Sequence, residues 1–293
     1  MSGSRALSES VIYPAVTLAP LGTSSQPSVR VAAEEIRRGA YVFLDGIYSE
    51  YFWHWMLEYL PRILIAEIAG FQGSFVIRND APPFVKESLA LLEIAPDRIV
   101  ERGDEPWLVE SAFIPEVITG TKGHGRQDIS LFPELLLELR SLLLAGAGLP
   151  TEPIGVSRTF VSRRHATRGR KITNELELEK LCARYGFETV IFDELTLREQ
   201  LEVASSSAVL LGPHGAGMLH ALFMPEKSSI IELCSPNFVP DTNAAIHAVL
   251  HQRHLVVAGV PREELLVGEP NLADIEADLH ATEQTLELVC RGE

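Results

Sequence analysis

The sequence predicts an α/β fold built as two domains, on three observations. Its 293 residues, 46% of them hydrophobic, suffice for two domains of about 100–150 residues each. Strand-like and helix-like stretches alternate in the second half, which is typical of a parallel sheet covered by helices. Residues 145–155 contain three glycines and two prolines. We therefore expect an N-terminal domain over residues 1–145 and a C-terminal domain over residues 156–293.

The first half is expected to contain short elements separated by turns rich in proline and glycine. The predicted strands are Ala40–Leu44, Ser74–Arg78 and Ser111–Pro115, and the predicted helices are Tyr51–Leu60, Pro83–Leu92 and Pro133–Leu144. Pro61 should end or kink the first of these helices, because proline lacks a backbone donor.

The second half has a more regular pattern. The predicted strands are Thr159–Ser162, Thr189–Phe192, Ala208–Leu211 and Ser229–Leu233, and the predicted helices are Glu175–Tyr185, Thr196–Ser206 and Met218–Phe223. Parallel sheets of this kind bind their ligands at the carboxyl ends of the strands. Functional residues are therefore expected just after these strands.

The chain is acidic overall, with 25 basic and 40 acidic residues and a net charge of −15. That charge opposes non-specific attraction to nucleic acid and to anionic membrane surfaces, so neither is an expected partner. No apolar run approaches the roughly 18–20 residues needed to cross a bilayer, and we expect a cytoplasmic protein without a transmembrane segment. The three cysteines have no short spacing, which predicts neither a disulfide framework nor a zinc site.

A glycine-rich turn, residues 211–218, separates a buried strand from a helix. The small residues Gly215, Ala216 and Gly217 allow backbone amides to approach a bound anion, and the following helix N-terminus adds partial positive charge. His214 could donate a hydrogen bond to the same anion. These features suit a diphosphate. The alternative is a tight turn with a capping histidine.

Residues 157–171 form a basic segment with six arginines and lysines and no acidic residue. We expect Arg163 and Arg170 to contact a ligand, because an arginine that follows a strand can form bidentate hydrogen bonds to phosphate oxygens. In a chain this acidic, such a concentration of positive charge is notable. The alternative is a solvated surface loop.

An aromatic segment, residues 50–62, contains His54 and Glu58. Four positions apart on a helix, these side chains share a face, and the carboxylate can hold the imidazole in one tautomer. A histidine oriented in this way can act as a general base. The alternative is a core helix whose histidine has only a structural hydrogen bond.

Two further groups of residues carry weaker signals. His247, His251 and His254 could share a helix face, but no nearby carboxylate or cysteine completes a metal site, so no metal is expected. Ser205–Ser207 lacks the Gly-x-Ser-x-Gly elbow of hydrolases.

Three segments, in their order along the chain, together resemble glycosyltransferase family 61. They are Trp53–Arg62; Ser162 and Arg163 followed by Arg170–Glu175; and Glu199 and Gln200 followed by Gly212–Gly217, Phe223 and Ile231–Leu233. The family contains plant xylan arabinosyl- and xylosyltransferases, animal O-linked N-acetylglucosaminyltransferases and many bacterial capsule-related proteins. The resemblance covers about residues 42–233.

The resemblance implies a GT-B fold, in which two Rossmann-like domains face a cleft. It implies an inverting glycosyltransferase that needs no catalytic metal or other cofactor. The second half would hold a nucleotide-sugar donor and the first half would present a hydroxyl acceptor. Bacterial relatives suggest a polysaccharide or another glycan precursor as that acceptor.

In an inverting transfer, a base takes the acceptor proton while positive groups neutralise the leaving nucleoside diphosphate. The hypothesis assigns His54 as the base, oriented by Glu58, with Glu58 as the reserve candidate. The donor-binding groups would be Arg163, Arg170, His214 and the amides of Gly215, Ala216 and Gly217, with Glu232 accepting hydrogen bonds from the ribose.

Two other functions remain open at this point. One is a nucleotide-sugar-binding protein without transferase activity, and the other is a hydrolase or phosphotransferase built around His214 and the arginines. The sequence does not specify the sugar, the nucleotide, the acceptor, the linkage or the oligomeric state.

Overall fold

A computed structural model describes residues 36–105, 107–115, 120–122, 126–128, 132–167, 169–240, 243–262 and 269–290. Arg168 of the basic segment lies outside these residues. The chain divides into two compact units, Met1–Thr119 and Gly120–Glu293. Helix Pro133–Gly146 belongs to the second unit by this division, and the boundary at residues 145–155 stays a prediction. None of the helices within the described ranges is both long and apolar enough to cross a bilayer.

The first unit is built on a parallel sheet of four strands in the order β3-β2-β1-β4. The strands are β1 (Ile36–Phe43), β2 (Ser74–Arg78), β3 (Ile99–Arg102) and β4 (Leu108–Ala112). Helix α1 links β1 to β2 and runs through Phe52–His54, a π-helical segment Trp55–Tyr59 and Leu60–Ile68. Helix α2 (Pro83–Leu91) links β2 to β3.

Helix α1 continues past Pro61 to Ile68, so of the two predicted effects, ending or kinking the helix, the proline does not end it. The amide of Leu60 donates to the carbonyl of Trp55, which widens the turn before the proline. In a regular α-helix the proline ring would clash with the carbonyl four residues earlier. The wider π turn is the local adjustment that precedes Pro61, and such turns are frequent at functional sites.

The second unit contains a parallel sheet of five strands in the order β11-β10-β9-β7-β8. The strands are β7 (Ser157–Val161), β8 (Phe187–Val190), β9 (Ser207–Pro213), β10 (Ser229–Cys234) and β11 (Arg253–Ala258). The antiparallel strands β5 (Gly120–Lys122) and β6 (Arg126–Asp128) pair with each other before it.

Among the described residues of the second unit, five α-helices accompany these strands. They are α3 (Pro133–Gly146), α4 (Glu175–Arg184), α5 (Leu197–Ser206), α6 (Ala244–Val249) and α7 (Leu279–Cys290). Thr196 caps α5 in a capping box with Glu199, a pairing that satisfies two backbone donors at the helix start. The predicted helix Met218–Phe223 is a 3-10 helix, Ala216–Phe223.

The chain order of the second sheet reverses between β7 and β9. From β7 the chain moves outward to β8, then returns to the other side of β7 with β9 and continues to β10 and β11. Adjacent strands whose connections leave in opposite directions form a crevice at their carboxyl ends, where doubly wound sheets bind ligands. The two parallel sheets confirm the predicted α/β class, with one Rossmann-like sheet in each unit.

Candidate functional site

The glycine-rich turn lies at the carboxyl end of β9, beside the crevice between β7 and β9. Gly215 has φ of 154° and ψ of −174°, a conformation that is essentially restricted to glycine. The amide of Met218 donates to the carbonyl of Gly215 at 3.0 Å. The amides of Ala216 and Gly217 precede the first bond of the 3-10 helix and have no acceptor within the described ranges, as expected at a helix N-terminus.

The guanidinium groups of Arg163 and Arg170 both lie beside this turn. A Cβ placed on Gly215 would stand 2.8 Å from Nη1 of Arg163 and 3.5 Å from Nη1 of Arg170. Arg163 follows the end of β7, and Arg170 is held by its amide, which donates to the carbonyl of Leu272 at 3.3 Å. The backbone therefore brings two cations to a residue that has no side chain.

Arg163 is only half buried, yet one of its nitrogens is fully enclosed. Nε of Arg163 has no hydrogen-bond partner among the residues that the structure describes. Burial lowers the pKa of Arg163, and the carboxylate of Asp193 opposes that shift. A buried donor without a partner costs about 1–3 kcal/mol.

Two further arginines of the basic segment, Arg158 and Arg164, have identified protein partners. Nη1 of Arg158 donates to the carbonyl of Tyr185 at 2.8 Å. Nε of Arg164 donates to Oγ of Ser162 at 3.0 Å, and its guanidinium pairs with Glu179. The segment thus divides into arginines that hold the fold and the pair beside Gly215.

His214 belongs to a buried network centred on Glu232. Nδ1 of His214 lies 2.7 Å from Oε1 of Glu232, and Nε2 of His254 lies 2.8 Å from Oε2. Nδ2 of Asn243 also donates to Oε1 at 3.1 Å. The Glu232 side chain is 1% exposed. Both of its oxygens are occupied within the protein, so this geometry favours an action through His214 over direct contact with a ribose.

Sequence reasoning missed His254 and Asn243. The prediction that His247, His251 and His254 share a helix face is wrong, because His254 lies on strand β11 and only His247 lies on helix α6. The rings of His247 and His254 nevertheless pack together, with centroids 4.4 Å apart. Within the described ranges, no group of three or more His, Cys, Asp or Glu side chains is arranged to hold a metal ion.

In the first unit, His54 and Glu58 form the predicted pair. Nδ1 of His54 lies 2.8 Å from Oε2 of Glu58, with the carboxylate 1% exposed and the imidazole 19% exposed. The rings of Tyr48 and Trp53 flank the imidazole at centroid distances of 5.2 and 5.1 Å. The carboxylate is therefore enclosed behind a histidine that still reaches the surface.

The start of α1 is fixed by contacts around its π-helical segment. Nε1 of Trp55 donates to Oγ of Ser88 at 2.8 Å, and the hydroxyl of Tyr59 donates to the carbonyl of Ile47 at 2.7 Å. A Cβ on Gly46 would stand 2.5 Å from that hydroxyl. These contacts hold the turn that carries Glu58 against the loop after β1.

A cavity of about 430 Å³ opens at the carboxyl ends of β1 and β2 in the first unit. Its lining includes Asp45, Tyr48, Glu50, Trp55 and Asp80. Tyr48 has a φ of 66°, a strained conformation for a residue with a side chain. Its ring thus connects the cavity wall to His54.

A family profile described as glycosyltransferase 61 matches residues 52–231, which is more than half of the chain. The chain belongs to glycosyltransferase family 61. This membership confirms the resemblance that the three motif segments indicate, and the matched range contains His54, Glu58, Arg163, Arg170 and His214.

Curated relatives of this family 61 member share a short segment with it. The EGF domain-specific O-linked N-acetylglucosamine transferase of Drosophila melanogaster is 36% identical over 78 residues, which are 26% of this chain and 15% of that protein. The protein of the same name from Bos taurus is 36% identical over 73 residues, 23% of this chain and 14% of that protein. The chain thus matches about a seventh of the length of these relatives.

Among solved structures, this family 61 chain is similar to the E. coli heptosyltransferase WaaC with ADP. The TM-score is 0.44 at 10% sequence identity, and the alignment covers 86% of this chain and 97% of that chain. The fold assignment rests on the two parallel sheets themselves.

Proposed function

We propose that this protein is an inverting glycosyltransferase that moves a sugar from a nucleotide-sugar donor to a hydroxyl acceptor, without a catalytic metal. The acceptor class that we favour is a polysaccharide or another glycan precursor. Family membership supports glycosyl transfer, and the relatives named for N-acetylglucosamine transfer make a nucleotide-activated N-acetylglucosamine the first donor to test.

The observation that carries the proposal is the placement of Arg163 and Arg170 beside Gly215. A nucleoside diphosphate leaving group carries negative charge that grows as its bond to the sugar breaks. Two guanidiniums can neutralise that charge, and arginine binds phosphate oxygens with two parallel hydrogen bonds. Fixed positive groups of this kind take the role that a metal ion has in other transferases.

Backbone and imidazole donors complete the proposed diphosphate site. The amides of Gly215, Ala216 and Gly217 supply neutral donors at the helix start. His214 supplies a further contact, and Glu232 supports it from behind. In this proposal Glu232 acts on the donor through His214.

In the first unit we assign the acceptor base to His54, with Glu58 as the alternative. Because Glu58 faces Nδ1, the neutral imidazole carries its proton on Nδ1 and its lone pair on Nε2, the nitrogen that acts as the base in this proposal. Taking the acceptor proton converts the ring to an imidazolium, which the buried carboxylate stabilises. A general base of this kind contributes about 10²–10⁴-fold to a rate.

A two-stage experiment tests the proposal. Thermal unfolding is first measured with inorganic pyrophosphate, several nucleoside diphosphates and several nucleotide sugars, because a ligand of the folded state raises its apparent stability. Sugar transfer to a panel of glycan acceptors is then measured with and without a chelator. Stabilisation without any transfer would favour a nucleotide-sugar-binding protein, and loss of transfer on chelation would refute metal independence.

A further inference from the structure

Glu232 lies on β10 as a single carboxylate between two histidines. It faces Nδ1 of His214 through one oxygen and Nε2 of His254 through the other. The two imidazoles come from different parts of the second sheet, because His214 follows β9 and His254 lies on β11. The charge of Glu232 is therefore shared between them.

The geometry fixes which nitrogens carry protons. Burial would raise the pKa of Glu232, but the hydrogen bonds from His214 and His254 outweigh it and lower that pKa to about 2. An ionised carboxylate only accepts hydrogen bonds. His214 must therefore present Nδ1–H to Glu232, and His254 must present Nε2–H.

This arrangement restricts how His214 can contact an anion. A neutral imidazole has one N–H, and in His214 that N–H is directed at Glu232. Only the imidazolium has a second N–H, on Nε2, to donate to a phosphate oxygen. The side chain is 13% exposed, so part of the ring remains accessible for that contact.

We propose that His214 binds the donor diphosphate as an imidazolium, and that His254 is a positioning residue that controls this protonation by sharing the carboxylate of Glu232. The proposal rests on the proposed function for the identity of the ligand. The roles of Glu232 and His254 are independent of it, because they concern the protein without ligand.

The charges around His214 act in opposite directions. The Glu232 carboxylate contacts Nδ1 of His214, whereas the cationic Arg163 and Arg170 flank the neighbouring Gly215. The ring of Phe238 packs edge-on at a centroid distance of 5.8 Å and adds no charge. A bound diphosphate would screen the two arginines and add negative charge, so its binding should be coupled to uptake of a proton.

His254 acts on the same equilibrium through Glu232. When His254 donates to the carboxylate, it withdraws part of the negative charge from His214. His247, which packs on His254, has a pKa that burial lowers to about 4, so it is neutral near pH 7. Removing His254 should leave the carboxylate to His214 and to Asn243, which donates to the same oxygen as His214, and so make the second proton of His214 bind more tightly.

The test is a pH titration of ¹⁵N-labelled histidine side chains by NMR in the full chain. In the wild type, the neutral form of His214 is expected to be the Nδ1–H tautomer. Glu232→Gln should lower the titration midpoint of His214 by about 1–3 pH units, the usual effect of an adjacent opposite charge. His254→Asn should raise it. His280→Asn is the matched control, since His280 contacts Gln284 on α7, and it should leave the midpoint unchanged.

A merely structural role for Glu232 and His254 would not give shifts of opposite sign. An Nε2–H tautomer in the wild type, or a lowered midpoint in His254→Asn, would overturn the positioning role. If Glu232→Gln does not fold, the tautomer of His214 in the wild type and the midpoint of His214 in His254→Asn still decide whether His254 has the positioning role.

Inorganic pyrophosphate then tests the imidazolium itself. Its addition should raise the midpoint of His214, and its affinity should fall as the pH rises through that midpoint. Binding at the Gly215 amide with an unmoved midpoint would refute the imidazolium. No binding of pyrophosphate or nucleoside diphosphate at any pH would refute the proposed function, while opposite shifts in the two variants would still support the role of His254.

Discussion

Gly215 and Arg163 approach so closely that a Cβ on the glycine would stand 2.8 Å from Nη1 of the arginine. The turn and the guanidinium are therefore one structural feature, although 52 positions separate them in the sequence. A side chain at this glycine would occupy space that we assign to a phosphate oxygen. The contact makes Gly215 the most direct place to test the proposed diphosphate site.

Gly215→Ala should weaken pyrophosphate and nucleotide binding at least tenfold, because the methyl group displaces the Arg163 guanidinium. The glycine-specific backbone also predicts a stability loss of about 1–3 kcal/mol. Isothermal titration calorimetry and urea unfolding measure the two effects. Gly148→Ala is the control, since Gly148 has a φ of 72° with open space around its Cβ position. Equal binding losses in both variants would show that backbone strain alone is responsible.

Arg163→Ala should reduce affinity for a nucleoside diphosphate by about 10- to 100-fold, the cost of one hydrogen bond to a charged group. Arg164→Ala is a control at the adjacent position. Because Arg164 is engaged by Ser162 and Glu179, its removal should leave the affinity nearly unchanged. Fluorescence or calorimetric titration with a nucleoside diphosphate measures the affinity of both variants. Similar losses of affinity in Arg163→Ala and Arg164→Ala would mean that the basic segment acts only through its total charge.

Much of this architecture follows from local sequence. The alternation after residue 156 predicts the parallel sheet, and the basic segment without acidic residues predicts Arg163 and Arg170 near an anion. Hydrophobic periodicity and charge clustering are local properties, which a single sequence contains in full. The pairing of His54 with Glu58 can also be predicted from local sequence, because one helical turn separates the two residues.

Contacts that depend on strand register could not be predicted. His254 meets Glu232 because β11 pairs with β10 in a register that places His254 opposite Ile230, and no local pattern specifies that register. The continuation of α1 past Pro61 depends on a π turn that packs Trp55 and Tyr59 inside the first unit. In both cases packing, which is non-local, determines the outcome.

His54→Gln should lower turnover by about 10²–10⁴-fold, the usual contribution of a general base, while leaving donor affinity within a factor of two or so. The reason is that His54 belongs to the first unit and the proposed donor groups to the second. Initial rates with a defined donor and acceptor, together with donor titration, measure both quantities. If Glu58→Gln lowers turnover more than His54→Gln does, Glu58 is the base.

His247 should make the protein less stable as the pH falls from about 6.5 to about 4. Burial lowers its folded-state pKa to about 4, whereas an unfolded histidine titrates near 6.5. Within that window the unfolded chain binds a proton that the folded chain does not, so acid favours unfolding. The full effect is about 3 kcal/mol, at 1.36 kcal/mol for each pKa unit. Urea unfolding at several pH values should show that the free energy of unfolding declines less steeply with falling pH in His247→Asn than in the wild type. The control His280→Asn should keep the wild-type slope. Identical slopes in all three proteins would contradict a neutral buried His247.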